Sequence, residues 1–243
     1  MIEGKYLYCI LEGAQGGNFG NTGLFGKKTY AVSYKDISAV LSNIPFKEIK
    51  PEIEAITSHQ KTIDEIRSYG TILPARFGTI FRSDDGVKKM LSQSYKDLRS
   101  KITKLKDKDE YGLKIIIDES NLNNLKLSSH NTSEIKKLKK DMALAGEGTA
   151  YFLKMKMDEA IRNQTYKKIE MLSGQIHEDL AKTAKDSCLL KSDFDEIVLN
   201  VAYLVNRGES SLFHKKLDQL KTKYETHGFT FHLSGPWAPY SFC

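Results

Sequence analysis

The glycine-rich stretch near the N-terminus is the first place where residue types and spacing suggest chemistry. A phosphate-binding loop needs Gly, four residues, then Gly-Lys and Ser or Thr, so that backbone amides surround the phosphate. Here five residues separate Gly20 from Gly26, and Lys27 is followed by Lys28 before Thr29. The next segment alternates like a strand, so no helix N-terminus is available to hold an anion. We therefore interpret this stretch as a loop without a nucleotide.

Serines after Gly208 form the nearest approach to a nucleophile motif. The sequence Gly208-Glu209-Ser210-Ser211-Leu212 lacks the closing glycine of the Gly-x-Ser-x-Gly pattern. Ser210 and Ser211 fall in the first turn of a predicted helix, where hydroxyls commonly cap free amides. We predict capping residues here and assign no catalytic residue.

Metal-ligating residues show no useful spacing either. The six histidines include no pair of the His-x-x-x-His type. Cys9, Cys188 and Cys243 are an odd number without metal-type spacing, so we expect free thiols in a reducing compartment. We expect no metal and no cofactor.

Composition favours a folded, cytosolic protein. The 243 residues are 40% hydrophobic and 28% charged, and the longest apolar run, 198–205, is interrupted by Asn200. The N-terminus lacks the basic and apolar regions of a signal peptide. The net charge of +6 comes from lysines interleaved with acids, which is typical of a solvated surface. We expect no nucleic acid and no membrane partner, although a nucleic-acid-binding α+β protein, or less plausibly a small-molecule enzyme, stays open as an alternative.

The first half, residues 1–109, is predicted to form a small α+β domain. Consecutive antiparallel strands are expected at 5–11, 28–34 and 37–44, and the segment 71–81 resembles a strand that carries Pro74. Pro51 opens a helix with apolar residues at helical spacing, and Gly70 ends it. A second helical pattern covers 84–106.

The second half, residues 110–243, is predicted to form a ferredoxin-like domain. Strand 111–117, a long helix over 143–185, strands 187–194 and 196–205, a helix over 209–226 and strand 229–233 give the order βαββαβ. Such a long helix overhangs a small sheet. Its surplus apolar stripe must therefore be covered by another domain, a partner or the C-terminal tail.

The C-terminal tail combines stiffness with aromatic side chains. Pro236 and Pro239 restrict the backbone around Trp237, the only tryptophan, and Tyr240 and Phe242 follow. Less entropy is lost when such a segment docks, so we predict that it covers a surface. The surface belongs either to its own domain, which we favour, or to a partner.

Several segments carry a resemblance to a known family. The tail Leu233-Ser234-Gly235-Pro236-Trp237-Ala238-Pro239-Tyr240-Ser241-Phe242 is similar to the C-terminal signature of the gas vesicle protein F/L family, with Ser234 and Ala238 in place of the usual Thr and Pro. The block Leu73-Pro74-Ala75-Arg76-Phe77-Gly78-Thr79-Ile80-Phe81 resembles another hallmark. Further similar blocks lie at 6–10, 33–42, 59–60, 111–114, 148–153 and 199–205.

The resemblance implies a minor accessory protein of gas vesicles, located at the vesicle within the cytoplasm. It implies two α+β domains, the second ferredoxin-like, a role in vesicle assembly and no enzymatic activity. The implied partners are the small hydrophobic shell protein and other gas vesicle proteins. Our hypothesis is that this protein binds the shell protein and limits its aggregation by covering apolar surface.

Five residues are candidates for interaction or interdomain contact. Arg76 is expected either to bridge the two domains through a carboxylate, which we favour, or to present its guanidinium to a partner. Phe77 belongs to the same block. In the tail the candidates are Trp237, Tyr240 and Phe242.

Overall fold

Backbone contacts divide the chain into two units. The computed structural model describes residues 2–13, 17–118, 120–122, 125–126, 132–192, 194 and 196–243. One unit comprises Met1–Glu110 together with Gly235–Cys243, and the other comprises Tyr111–Ser234. We call them the N-terminal and the C-terminal unit. The division differs from the expected one at the tail, because the tail packs into the core of the N-terminal unit. That each unit folds independently stays a prediction.

The N-terminal unit contains an antiparallel sheet with β1 at its centre. The strands are ordered β2-β3-β4-β1-β5, and β6 also pairs with β1. Their bounds are β1 Glu3–Glu12, β2 Asn18–Gly20, β3 Thr29–Tyr34, β4 Ile37–Pro45, β5 Ile72–Pro74 and β6 Ile80–Phe81. Strand β1 runs antiparallel to β4, β5 and β6. The antiparallel strands expected in this half are therefore present.

The described part of this unit also contains the α-helices α1 Ile53–Ile66, α2 Asp84–Gln93 and α3 Tyr95–Leu105. The single helical pattern expected over 84–106 is interrupted at Ser94, which leaves helical backbone geometry at ψ 8°. Ser83 caps α2, because its hydroxyl accepts a hydrogen bond from the amide of Gly86.

The segment 71–81 is two short strands joined by a turn, not one strand. Strand β5 ends at Pro74 at one end of the sheet order, where a residue without an amide donor is tolerated. Gly78 has φ +84°, a left-handed conformation that a glycine adopts without a Cβ clash. The turn around Gly78 leads the chain back to β1 through β6.

The C-terminal unit is a four-stranded sheet with helices. Its order is β10-β7-β9-β8, with β7 Lys108–Ile117, β8 Asp186–Leu189, β9 Ile197–Asn206 and β10 Phe229–Trp237. The helices are α4 Ser133–Ala143, α5 Glu147–Ala181 and α6 Ser210–Tyr224. Apolar residues of β7, β9, α5 and α6 form its core: Leu113, Ile115, Val201, Tyr203, Leu172, Ile176, Phe213 and Leu217.

Helix α5 has two halves with different surroundings. Its buried residues all lie between Ile161 and Leu180. In the preceding half, Tyr151, Phe152 and Met155 are more than half exposed, at 69%, 56% and 56%. The segment before Ile161 therefore carries exposed apolar side chains. That another domain, a partner or the tail covers the apolar surplus stays a prediction. Among the described residues, no helix is both long and apolar enough to cross a membrane.

Candidate interaction site

The turn between β5 and β6 presents an unpaired cation. Arg76 is exposed, and among the described residues its side chain forms no ion pair and no hydrogen bond. That Arg76 bridges the two domains through a carboxylate stays a prediction. Arg67 at the end of α1 is instead the arginine that is paired, with 3.0 Å from its guanidinium to the Asp109 carboxylate.

Phe77, next to Arg76, anchors the turn. Its ring is half-buried and meets the rings of Tyr6 and His59 edge to face, at centroid distances of 6.2 and 5.7 Å. Edge-to-face contacts of this kind add to the free energy of burial. Phe77 thus fixes the turn to the core, while its neighbour Arg76 stays in solvent.

A hydrogen-bonded chain beneath the turn connects α1, β1 and the turn itself. His59 is 4% exposed, and its Nε2 lies 3.3 Å from the carbonyl of Ala75. A carbonyl only accepts, so Nε2 carries the proton and Nδ1 accepts from the Tyr6 hydroxyl at 2.9 Å. The Gly78 amide in turn donates to the Tyr6 oxygen at 3.2 Å. Every polar atom of this chain is satisfied by the neutral imidazole.

Burial lowers the pKa of His59 to about 4, although the hydrogen bond to Ala75 acts in the opposite direction. The imidazole is therefore neutral at physiological pH. Burial also raises the pKa of Tyr6 to about 12, so its hydroxyl keeps its proton. The imidazole and the hydroxyl of this network are therefore both neutral. The sequence block His59-Gln60 was the signal for it, since it belongs to the family resemblance.

The C-terminal tail inserts into this same unit. Ala238 is fully buried and belongs to the core cluster that contains Tyr6 and Ile63. Pro239 has φ −80° and ψ 67°, and the Tyr240 amide donates to the Ala238 carbonyl at 2.8 Å, which together form an inverse γ-turn. The tail therefore covers part of the N-terminal core.

The three candidate aromatics of the tail have different exposures. Trp237 is 41% exposed, so much of the indole meets solvent. Tyr240 and Phe242 are half-buried, and Tyr240 packs against the N-terminal core. Of the five candidates, Arg76 and Trp237 are the ones most available to a partner.

Polar contacts hold the tail at three points. The Ser241 amide and hydroxyl donate to the two oxygens of the Glu110 carboxylate, at 2.8 and 2.7 Å. The Tyr240 hydroxyl donates to Gln60 Oε1 at 3.1 Å. Arg67, already paired with Asp109, reaches the Pro236 carbonyl at 3.4 Å. Glu110, Gln60 and Arg67 could not be predicted as tail contacts, because no local sequence pattern pairs them with residues so distant in the chain.

Glu110 is the most constrained charged group at the tail. It is 8% exposed, and burial raises the pKa of its carboxyl, although both hydrogen bonds from Ser241 act to lower that pKa.

Cys9, Cys188 and Cys243 are all free thiols. Across the described part of the chain, no group of His, Cys, Asp and Glu side chains is placed to hold a metal ion. The arrangement suits binding through apolar and hydrogen-bonding surface.

Comparison with known proteins identifies gas vesicle proteins as relatives of this chain. The gas vesicle synthesis protein GvpL/GvpF family matches residues 4–243. Gas vesicle protein F of a Streptomyces species is 27% identical over 85% of this chain and 84% of its own length. Gas vesicle protein L1 of Halobacterium salinarum is 21% identical over 99% of this chain and 90% of its own.

Solved structures share the fold. The crystal structure of the gas vesicle protein GvpF from Anabaena superposes with a TM-score of 0.84 at 20% identity, over 99% of this chain and 98% of that one. The GvpF structure from Microcystis aeruginosa gives 0.78 at 18% identity, over 100% and 99%. With the family match over nearly every residue, these findings establish that the chain belongs to the gas vesicle synthesis protein GvpL/GvpF family.

Proposed function

We propose that this protein acts in gas vesicle assembly by binding the small hydrophobic shell protein and limiting its aggregation. Membership of the family supports an accessory role at the gas vesicle. No enzymatic step enters the proposal. We place its action at the vesicle within the cytoplasm, with other gas vesicle proteins as further partners.

The observation that carries the proposal is the exposed half of α5. Met155 lies four residues after Tyr151 and three after Phe152, so its side chain neighbours both of the others on the helix surface. Exposed apolar groups of this size on one face are typical of a binding surface. The Lys156 ammonium lies 4.7 Å from the Phe152 ring centroid, a cation–π contact that places a hydrated charge beside this face when no partner is bound.

Shell-protein aggregation tests the proposal directly. Purified shell protein is mixed with an equimolar amount of this protein, and light scattering is followed. We expect the wild-type chain to delay scattering, and the triple substitution Tyr151→Ser, Phe152→Ser and Met155→Ser to abolish the delay. The substitutions remove apolar surface whose burial in a complex contributes about 25 cal/mol per Å². They change no buried residue.

Leu212→Ser on α6 is the matched control, because Leu212 is 55% exposed and lies outside this face. It should delay scattering as the wild type does. If the wild-type chain leaves aggregation unchanged, the holding role is wrong. If the triple variant and Leu212→Ser lose the delay in scattering to the same extent, α5 is not the binding face.

Two finer points of architecture belong to the same proposal. We propose that the C-terminal unit is a ferredoxin-like domain, which the strand order β10-β7-β9-β8 supports, since it places the first and third strands of the unit side by side. We also propose that Arg76 and Trp237 contact a partner, because both are exposed beside well-anchored neighbours. Arg76→Ala is expected to leave the thermal midpoint unchanged while reducing vesicle formation.

A further inference from the structure

We propose that the surface receiving the tail is a peptide-binding groove that accepts the segment Gly235–Cys243 of a second copy of this chain as well as its own. This inference goes beyond the proposed function, because it concerns how copies of this protein join each other. Its basis is the set of contacts between the tail and the N-terminal unit.

Glu110 gives the groove a specific receptor group. Its carboxylate accepts the amide and the hydroxyl of Ser241, at 2.8 and 2.7 Å. Within the described residues Glu110 has no ion pair, and Ser241 is the side chain that satisfies it. With the tail docked this carboxylate is 8% exposed, and without the tail it would lose both hydrogen bonds. Hydrogen bonds to a charged group are stronger than neutral ones, so they favour a filled groove.

An apolar slot gives the groove its second point of recognition. Ala238 is fully buried, with 0% of its surface accessible to solvent. Tyr240 extends the contact, since its ring packs on the same cluster and its hydroxyl reaches Gln60. Burial of a small side chain between two polar anchors defines both the register and the direction of the bound segment.

The docked tail is held partly by its own restraints. Two prolines restrict it, the inverse γ-turn closes at Tyr240, and the Phe242 amide donates to the Pro239 carbonyl at 3.3 Å. These bonds lie within the tail itself, so a tail from another molecule forms them equally well. A ligand that is ordered beforehand loses less entropy on binding.

The tail of a second copy can replace the chain's own tail, because the same groups of the groove and the tail would make the contacts. The groups on the groove, from Gln60 to Glu110, are far in sequence from the tail, so the hydrogen bonds at Gln60 and Glu110 do not require both partners to belong to one chain. Binding in cis and in trans therefore use the same contacts and differ in effective concentration. Crowding of many copies at one site raises the population with swapped tails.

Complementation between two full-length variants tests the exchange. Glu110→Ala impairs the groove and keeps the tail, whereas Ala238→Asp impairs the tail, by burying a charge, and keeps the groove. We expect each variant alone to be monomeric in size-exclusion chromatography with light scattering, and their mixture to form a species of twice the mass. Glu54→Ala, at an exposed carboxylate on α1, replaces Glu110→Ala in a control mixture whose tail stays docked in cis.

A labelled peptide of sequence Gly235–Cys243 tests the groove separately. Fluorescence anisotropy should show that it binds full-length Ala238→Asp, and that the Ser241→Ala peptide binds about fivefold more weakly, the equivalent of about one hydrogen bond. If Ala238→Asp does not fold, the peptide is offered to a wild-type chain cleaved after folding at a protease site inserted between Ser234 and Gly235. If the cleaved tail stays bound, or if the labelled peptide replaces it, the result supports a peptide-binding groove.

Two results would overturn the proposal. Folded protein with a vacant groove that binds no peptide at millimolar concentration removes the peptide site. Peptide binding without a heterodimer in the variant mixture removes the exchange between copies. Neither result bears on shell-protein aggregation, which the α5 substitutions test on their own.

Discussion

At the scale of single residues, His59 shows how a polar group can be structural in a site that looks chemical. Its imidazole is enclosed by Tyr6, Phe77 and the Ala75 carbonyl, and each ring nitrogen has one partner. A general base needs a pKa near the working pH and access to a substrate proton. His59 has neither, because burial lowers its pKa to about 4. Its role is to hold the turn that carries Arg76.

The buried imidazole predicts a pH dependence of stability. The folded pKa of His59 is about 4, below its ordinary value of 6.5, so the unfolded chain binds the proton more readily. The stabilisation is complete above pH 6.5 and is lost as the pH falls toward 4, by roughly 3 kcal/mol over this range. Urea unfolding of the wild type and of His59→Gln at several pH values measures the difference.

His59→Gln should be less stable than the wild type at neutral pH, yet lose less stability on acidification. Other groups, including Glu110 with its raised pKa, titrate in both proteins and cancel in the comparison. Identical slopes for the two proteins between pH 6.5 and 4 would contradict the assignment of a neutral, buried His59.

At the scale of elements, sequence patterns located most helices and strands, and local breaks explain the differences. The 3.6-residue period predicted α5 over 143–185, and the helix spans Glu147–Ala181. The pattern over 84–106 gave no sign of the break at Ser94, because the apolar face continues through it. The turn at Gly78 was hidden in an apolar block, since its conformation depends on the amide reaching Tyr6.

The β5–β6 turn therefore predicts a cost for a side chain at Gly78. A Cβ there meets no heavy atom within 4 Å, so the penalty of Gly78→Ala comes from φ +84° alone. We expect a loss of about 1–2 kcal/mol in the free energy of unfolding, measured by urea titration. Gly146→Ala is the control, because its φ is −70° and its Cβ position is also open. A Gly78→Ala protein as stable as that control would rule out a strained turn.

At the scale of the whole molecule, the tail is the feature that sequence reasoning placed least well. Its composition predicted docking, and Ala238 does dock, but the receptor is built from Gln60, Arg67 and Glu110. Periodicity describes neighbours within one element, whereas these contacts join residues more than a hundred positions apart. The consequence is that the single tryptophan reports on the N-terminal unit, although it lies at the opposite end of the chain.

Trp237 fluorescence can therefore test whether the two units unfold separately. Leu11 is fully buried in the N-terminal core, and Leu217 is 1% exposed in the C-terminal core. Each Leu→Ala substitution should cost about 2–5 kcal/mol in its own core. We expect Leu11→Ala to lower the midpoint of the Trp237 transition in urea, and Leu217→Ala to leave that midpoint unchanged while shifting far-UV circular dichroism. Equal shifts of Trp237 in both variants would mean that the chain unfolds as one cooperative body, and the two units would then be divisions of contact density within a single folding domain.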